Sequence, residues 1–176
     1  LICDLTDMEL ANASLYDGAT SVAEAVSVAI NKTKRDNIVI SNGFNPNTKE
    51  VVNTLVDSNK FNINYVDLVD YLFPEDYVFS QDDAAFVVSL PHYEGSAQDL
   101  TSIVHNAKAA GVITICYADP SMLGVLKSPG SMGFDIVVAE GQSMGSPLSF
   151  GGPTVGWFAT RKELARLVPG RIIGES

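Results

Sequence analysis

Two short apolar runs separated by a glycine- and proline-rich loop place the strongest constraint on the fold of this chain. The runs at 134–139 and 155–160 are too short for buried helices, and their valine, isoleucine and aromatic content predicts two buried strands. The loop between them contains Gly141, Gly145, Pro147, Gly151, Gly152 and Pro153. So many glycines in one loop are typical of a tight crossover, or of a backbone that lies close to another molecule. The loop by itself leaves both interpretations open.

The rest of the chain alternates between strand-like and helix-like patterns. Apolar residues at positions 22, 25, 26, 29 and 30 follow the helical period, which predicts a helix from residue 19 to about 33. Strands are predicted at 38–41, 62–68, 84–90, 112–118, 134–139 and 155–160. Further helices are predicted at 1–10, 99–110 and 162–168. One more helix is predicted to begin at a cap formed by Asn47 or Thr48 and to end at 56. This order suits right-handed βαβ crossovers. The predicted fold class is therefore α/β, with a mostly parallel sheet covered by helices on both faces.

Composition and charge narrow the class of protein. With 176 residues, of which 46 % are hydrophobic and 18 % charged, the chain is long and apolar enough for one domain with a core. Its net charge of −10 argues against nucleic acid and against anionic membrane surfaces as partners. No apolar run approaches the roughly 20 residues of a membrane span. Cys3 and Cys116 are interpreted as reduced, small hydrophobic residues, which favours a cytoplasmic location.

Both ends of the sequence read as internal parts of a longer chain. Leu1 is not an initiating methionine and falls within an apolar and acidic pattern, and residues 170–174 read as a loop that leads onward. We therefore expect residues 1–176 to be a single large-domain fragment, truncated at both ends.

The start of the predicted helix at 19–33 is a candidate anion site. Asp17 is a plausible N-cap, and Gly18, Ala19 and Thr20 bring small side chains to the helix N-terminus. Free N–H groups and the helix dipole favour an anion such as phosphate at this place. The alternative is an ordinary capped helix without a ligand.

Polar residues follow several of the predicted strands, where a parallel sheet usually binds its ligands. His92 and Tyr93 follow one strand, Asp119 follows the next, and 140–143 follow the one after that. The Asp119 carboxylate could pair with a cationic ring nitrogen, as a carboxylate does beneath a pyridoxal ring, or could simply form a turn before Pro120. His92 has no cysteine or acid at metal-ligand spacing and is interpreted as a loop histidine.

The motifs that would indicate other enzyme classes are absent from the sequence. There is no GxGxxG after a strand, no GxxxxGK(S/T) and no GxSxG, and two cysteines with two histidines do not form a zinc set. The chain has seven lysines, and none of them lies in the loop at 140–153. If this fold holds pyridoxal phosphate elsewhere in its family, this chain cannot anchor the cofactor covalently in the usual place.

Four stretches of the sequence resemble a known family. They are NASLYDGATSVAEA (12–25), the Asp119-Pro120 strand end, SPGSMGFDIVVAEGQSMGSPLSFGGPTVGWFATR (128–161) and PGRIIGES (169–176). Together they resemble the glycine dehydrogenase (decarboxylating) family, the P-protein of the glycine cleavage system. The likeness is greatest to the amino-terminal half of the P-protein, which some organisms carry as a separate subunit 1. It covers nearly the whole chain.

The resemblance implies a pyridoxal-phosphate-dependent fold of type I and a reaction in several parts. In the family, glycine condenses with pyridoxal phosphate, loses carbon dioxide and passes its aminomethyl group to the lipoyl arm of the H-protein. The Schiff-base lysine belongs to subunit 2, so the cofactor would be anchored there and not covalently on this chain. Gly18, Ala19 and Thr20 match the phosphate cup of the fold, and Asp119 matches the acid at the ring nitrogen, either as contacts or as relics of a duplication.

The resemblance also implies partners and an interface. We expect this chain to be inactive alone, to pair with subunit 2 and to help receive the lipoylated H-protein, with glycine as the substrate of the complex. The loop at 140–153 and the tail at 169–176 are the expected interface parts. The residues expected at the interface or at the mouth of the site are Glu140, Gln142, Ser143, Gly151, Gly152 and Arg171. Two alternatives remain open: an assembly scaffold with a filled pseudo-site, and a stand-alone pyridoxal-dependent lyase.

Overall fold

A seven-stranded sheet with the order β1-β7-β6-β5-β4-β2-β3 forms the centre of the computed structural model, which describes residues 1–56 and 60–172. The strands are β1 (Leu10–Ala11), β2 (Asn37–Ser41), β3 (Asn62–Val66), β4 (Asp83–Leu90), β5 (Ile113–Ala118), β6 (Ile136–Glu140) and β7 (Gly156–Thr160). The helices are α1 (Ile2–Thr6), α2 (Gly18–Thr33), α3 (Pro46–Leu55) and α4 (Thr101–Ala109). Short 3-10 helices span Met122–Gly124, Gln142–Met144, Ser149–Gly151 and Lys162–Leu167.

The five neighbouring strands β6, β5, β4, β2 and β3 are parallel to one another. Strand β7 runs antiparallel to both β6 and β1. The parallel strands are linked by crossovers, as a parallel pair requires. The link from β6 to β7 carries only 3-10 turns, so the chain reverses and β7 pairs antiparallel. The predicted α/β class with a mostly parallel sheet is confirmed.

The core lies on both faces of the sheet. All eight residues of β4 are buried, which explains the continuous apolar run from Ala84 to Val88 within this strand. On one face α2 packs Val22 and Val26 against a cluster that includes Ile38 and Phe158. On the other face α4 packs with Phe86 and its neighbours. Among the described residues, no helix is both long and apolar enough to cross a membrane.

The predicted helix at 1–10 is wrong beyond its first turns. Helix α1 ends at Thr6, and the residue that caps it, Asp7, has a left-handed φ of 54°. Leu10 and Ala11 then form the edge strand β1, which pairs with Thr160 and Ala159. Pairing with a partner so distant in sequence cannot be seen in the local apolar spacing, because that spacing reports only on contacts within one element.

Two other helices differ from their predictions at their starts or in their type. The cap of α3 is Asn45, whose side chain accepts a hydrogen bond from the Asn47 N–H at 2.9 Å, and Pro46 occupies the first helical position. The predicted helix at 162–168 is a 3-10 helix. The predicted N-cap of α2 is confirmed, since the Asp17 side chain accepts from the Thr20 N–H at 2.7 Å.

Asp135, just before β6, joins several elements through one buried carboxylate. One oxygen lies 2.7 Å from the Lys108 ammonium of α4. The other accepts hydrogen bonds from the N–H and hydroxyl of Thr114 in β5, each at 2.9 Å. The backbone carbonyl of Asp135 also accepts from the Thr160 hydroxyl of β7 at 2.8 Å. Asp135 therefore fixes the amino ends of β5 and β6 relative to α4.

Replacing Lys108 with Met should lower the free energy of unfolding by about 1–2 kcal/mol, because the buried Asp135 carboxylate would lose its only cationic partner among the described residues. The exposed pair between Lys127 and Asp99, 3.3 Å apart, offers a matched control. Lys127→Met should cost less than about 0.5 kcal/mol, since exposed ion pairs contribute little. Urea denaturation of both variants measures the difference, and equal losses would contradict the role assigned to Asp135.

Candidate functional site

A cleft of about 370 Å³ opens at the carboxyl ends of the central parallel strands. Parallel sheets commonly bind ligands at this edge. The side chains that matter for its chemistry are Ser89, His92, Tyr117, Asp119, Glu140 and Ser143. The topology thus brings together the polar residues that the sequence places after β4, β5 and β6.

The N-terminus of α2 lies beside this cleft and is already bonded to a carboxylate. The Gly18 N–H donates to Oε2 of Glu140 at 3.0 Å. A Cβ atom at position 18 would lie 2.7 Å from the Glu140 nitrogen and 2.8 Å from the Tyr117 hydroxyl oxygen. Only glycine allows such a close approach of α2 to the ends of β5 and β6.

Glu140 bonds to the backbone at two further places. Its Oε1 accepts hydrogen bonds from the N–H groups of Gln142 and Val155, each at 2.9 Å. One carboxylate therefore connects the start of α2, the turn after β6 and the residue before β7. Hydrogen bonds to an ionised acceptor are stronger than those between neutral groups.

The loop between β6 and β7 is folded onto itself. The Gln142 side-chain amide donates to the carbonyls of Gly151 at 2.7 Å and Pro153 at 3.3 Å. Gly152 has a φ of 68°, and a Cβ there would lie 2.2 Å from the Pro147 carbonyl oxygen. The glycine at this position is thus required by the loop's own backbone, which favours the tight-crossover interpretation for this part of the loop.

Asp119 ends β5 as a turn-forming residue. Its Oδ1 accepts hydrogen bonds from the Ser121 N–H at 2.9 Å and from the Ser121 hydroxyl at 2.8 Å. The residue is exposed and lines the cleft. The turn-forming interpretation therefore has direct support, and the pairing with a ring nitrogen stays a prediction.

The electrostatic environment of the cleft is acidic. Burial, together with the negative charges of Glu140, Asp17 and Asp119, raises the pKa of Tyr117 to about 12. The lining residues include no lysine and no arginine. A phosphate group would meet three carboxylates around Tyr117, and the Gly18 N–H at the start of α2 is already occupied by Glu140. These residues do not fit pyridoxal phosphate in the cleft of this chain.

His92 is buried to 2 % exposure at the wall of the cleft. Neither of its ring nitrogens has a hydrogen-bond partner in the described part of the chain. Burial lowers its pKa, and this effect outweighs the opposing influence of the neighbouring Gln98 amide and Glu94 carboxylate. His92 is therefore held as a neutral ring. It lies in the loop after β4, as predicted, with its side chain packed inside.

The other predicted residues are distributed more widely. Ala19 and Thr20 lie in the first turn of α2, and Gln142 and Ser143 line the cleft. Arg171 is exposed, and its carbonyl accepts from the Ala13 N–H at 2.7 Å, next to β1. The tail predicted as an interface is described only to Ile172, so residues 173–176 lie outside the described residues.

Sequence reasoning did not select Tyr117 for the cleft. The residue lies within the predicted apolar strand at 112–118, and the pattern of that strand gives no sign of a functional hydroxyl. Its signal was its position, two residues before Asp119 at the carboxyl end of β5. A tyrosine at that end of a parallel strand can reach both the strand-end loops and the start of the packed helix.

Two solved lyases share this fold. The crystal structure of cystathionine gamma-lyase from Lactobacillus plantarum complexed with L-serine has a TM-score of 0.72 at 16 % identity, covering 94 % of this chain and 43 % of that one. Apo CalE6, a methionine gamma lyase from Micromonospora echinospora, gives 0.72 at 17 %, with 94 % and 43 % covered. At this identity the likeness concerns the fold alone. The chain has the type I fold of pyridoxal-phosphate-dependent enzymes, as predicted.

Closer relatives define the family. A family model described as "Glycine cleavage system P-protein" matches residues 1–176. A protein named "Probable glycine dehydrogenase (decarboxylating) subunit 1" from Geotalea uraniireducens is 44 % identical over 99 % of this chain, and one of the same name from Staphylococcus aureus is 42 % identical over 100 %. A crystal structure of glycine decarboxylase (P-protein) in inhibitor-bound form has a TM-score of 0.94 at 38 % identity and covers 99 % of this chain. The chain belongs to the glycine cleavage system P-protein family.

The match covers only part of these relatives. The chain spans 40 % of the length of both curated relatives and 40 % of the P-protein chain in the crystal structure. The family membership predicted from the four sequence stretches is confirmed over the length of this chain.

Replacing His92 with Phe should remove a pH-dependent loss of stability. Because burial lowers the folded-state pKa of His92, both states are neutral above the ordinary value of about 6.5. Below it the unfolded chain binds a proton that the folded chain resists, so stability falls as the pH falls. When the pH is lowered from 7.5 to 5.5, the free energy of unfolding of the wild type should fall by about 1 kcal/mol more than that of His92→Phe.

Urea unfolding of the complete natural protein at the two pH values measures this gain. Tyr93→Phe, at the exposed neighbouring residue, controls for local disturbance and should follow the wild-type pH dependence. Parallel curves for His92→Phe and wild type would show that His92 does not couple folding to protons.

Proposed function

We propose that this chain acts as part of subunit 1 of a glycine dehydrogenase (decarboxylating) and works only together with a second subunit. The assembled enzyme decarboxylates glycine through pyridoxal phosphate and passes the aminomethyl group to the lipoyl arm of the H-protein. The observation that carries the proposal is identity above 40 % over 99 % or more of this chain to proteins named subunit 1 of that enzyme. We place this enzyme in the cytoplasm, because Cys3 and Cys116 are free thiols.

In this proposal the partner subunit anchors the cofactor, and this chain supports the site. Support comes from the cleft itself, which has no lysine in its lining and a carboxylate at the start of α2. Gly18, Ala19, Thr20 and Asp119 are then relics of a phosphate cup and a ring-nitrogen acid. The same features speak against a stand-alone pyridoxal-dependent lyase.

A second candidate is an assembly scaffold with a filled pseudo-site. The contact between Glu140 and Gly18 specifically favours it, because the chain's own side chain occupies the place of a ligand. The two candidates differ in whether this chain contributes to turnover beyond holding the partner in place.

The loop between β6 and β7 is the surface that we assign to the partner subunit. Phe150 is fully exposed at its tip and has a φ of 52°, an uncommon backbone conformation for a bulky residue. Leu148 beside it is 74 % exposed. The Glu140 carboxylate and the Gln142 amide hold this loop in a defined shape, so the two apolar side chains lie on an ordered surface. Exposed apolar groups on an ordered loop are typical of protein interfaces.

The proposal is tested by titrating pyridoxal phosphate into the complete chain with and without subunit 2. Visible absorbance that borohydride can trap should develop only when subunit 2 is present, and the trapped cofactor should be found on subunit 2 by mass spectrometry. Glycine decarboxylation in the presence of H-protein should likewise need both subunits. Cofactor trapped on a lysine of this chain, or turnover by this chain alone, would overturn the assignment.

Replacing Phe150 with Ser should weaken the binding of subunit 2 by about tenfold or more, the loss of an apolar interface anchor worth roughly 2 kcal/mol. Val78→Ser is a matched control, since Val78 is 86 % exposed but lies between β3 and β4. Analytical ultracentrifugation or interferometry with purified subunit 2 measures both. If Val78→Ser weakens binding as much as Phe150→Ser, or if neither does, the loop is not the interface.

A further inference from the structure

We infer that Glu140 is an internal anion, which closes the N-terminus of α2 to phosphate groups and fixes the loop from 141 to 155 in place. The inference goes beyond the proposed function and rests on it only for the natural setting of the chain. The contacts that carry it lie within this chain, so they can be tested without the partner subunit.

The first step is the number and origin of the donors. The Glu140 carboxylate accepts from the N–H groups of Gly18, Gln142 and Val155, at 3.0, 2.9 and 2.9 Å. These donors belong to three separate segments that are brought together only by the fold. Glu140 forms no ion pair with the basic groups of the described chain. Its charge is compensated by backbone N–H groups and by the dipole of α2, the arrangement by which proteins hold bound anions.

The second step is space. Backbone and side-chain atoms approach Gly18 so closely that no Cβ fits there. The Gly18 N–H already donates to the Glu140 carboxylate, so an external phosphate cannot bind this N–H while the carboxylate is present. Beyond its Cβ the Glu140 side chain has four non-hydrogen atoms, one fewer than a phosphate ion. Removing them leaves a space of about that size at the wall of the cleft, beside the same three donors.

The third step is the coupling to the loop. Gln142 and Val155 stand near the two ends of the segment between β6 and β7, and one oxygen of Glu140 bonds to both. The Gln142 side chain then holds Gly151 and Pro153 from inside the loop. Loss of the carboxylate releases both ends together. Glu140 is thus a positioning residue for the loop as well as the group that excludes phosphate.

The experiment measures thermal unfolding of the complete natural chain with and without inorganic phosphate, with chloride keeping the ionic strength constant. Glu140→Ala should lower the midpoint by about 5–10 °C, because three charge-assisted hydrogen bonds are lost. Phosphate at about a hundredfold its dissociation constant should restore about 2–4 °C in this variant. Wild type should change by less than about 1 °C under the same conditions.

Glu140→Gln is the matched control. It keeps the size of the side chain but cannot accept at all three N–H groups, since one terminal atom becomes a donor. It should be destabilised and yet gain nothing from phosphate, because the space stays filled. Two further ligands separate free phosphate from a phosphorylated cofactor. Pyridoxine 5′-phosphate should stabilise Glu140→Ala if the opened cleft admits the ring, whereas pyridoxine without phosphate should have no effect.

An equal phosphate response in wild type and Glu140→Ala, or no response in either, would overturn the inference. Should Glu140→Ala fail to fold, hydrogen exchange on Glu140→Gln provides the decision. The amide oxygen of Gln can still accept from Gln142 and Val155, as one oxygen of Glu140 does, whereas its NH2 group cannot accept from Gly18. Peptides that contain Gly18 should therefore lose protection relative to wild type, and unchanged protection at Gly18 would contradict the role of Glu140 as the internal anion.

The outcome is separate from that of the proposed function. A phosphate response confined to Glu140→Ala supports the internal anion whether or not subunit 2 binds. Failure of glycine turnover in the assembled enzyme would overturn the proposed function and leave this result standing.

Discussion

Burial of the central sheet on both faces decides where this chain can place its polar groups. Every residue of β4 is buried, and apolar clusters cover both sides. Charged side chains are therefore confined to the strand ends, and each must be satisfied there. Asp135 at one end is paired with Lys108 and Thr114. At the other end, Glu140 is satisfied by backbone donors alone.

Local patterns in the sequence were sufficient for the elements that depend on near neighbours. The cap at Asp17 and the period of α2 lie within one stretch of chain, and both predictions are confirmed. The edge strand β1 was missed because its two residues pair with Thr160 and Ala159, near the other end of the sequence. The antiparallel direction of β7 was not foreseen for the same reason. Nothing within the strand itself distinguishes it from its parallel neighbours.

In the candidate site, too, features set by near neighbours in the sequence were predicted, and contacts between distant residues were not. The βαβ order placed Asp119 and Glu140 at one edge of the sheet, and the cleft is there. The contact between Gly18 and Glu140 could not be predicted from local patterns, because the two residues are 122 positions apart in the sequence. A glycine at a helix start predicts close approach of something, but the sequence does not say whether that is a ligand or a side chain. Only the fold identifies the approaching group as a carboxylate of the same chain.

An internal anion differs physically from a bound cofactor in a way that suits a supporting subunit. A diffusible ligand stabilises a loop only as far as its concentration exceeds its dissociation constant, and its binding costs translational and rotational freedom. A carboxylate on the chain is always present and has no such cost. In the proposed arrangement, the loop that carries Phe150 keeps its shape before any cofactor binds to the partner. The surface offered for assembly is then independent of the cofactor, because the charge that organises it is part of the sequence.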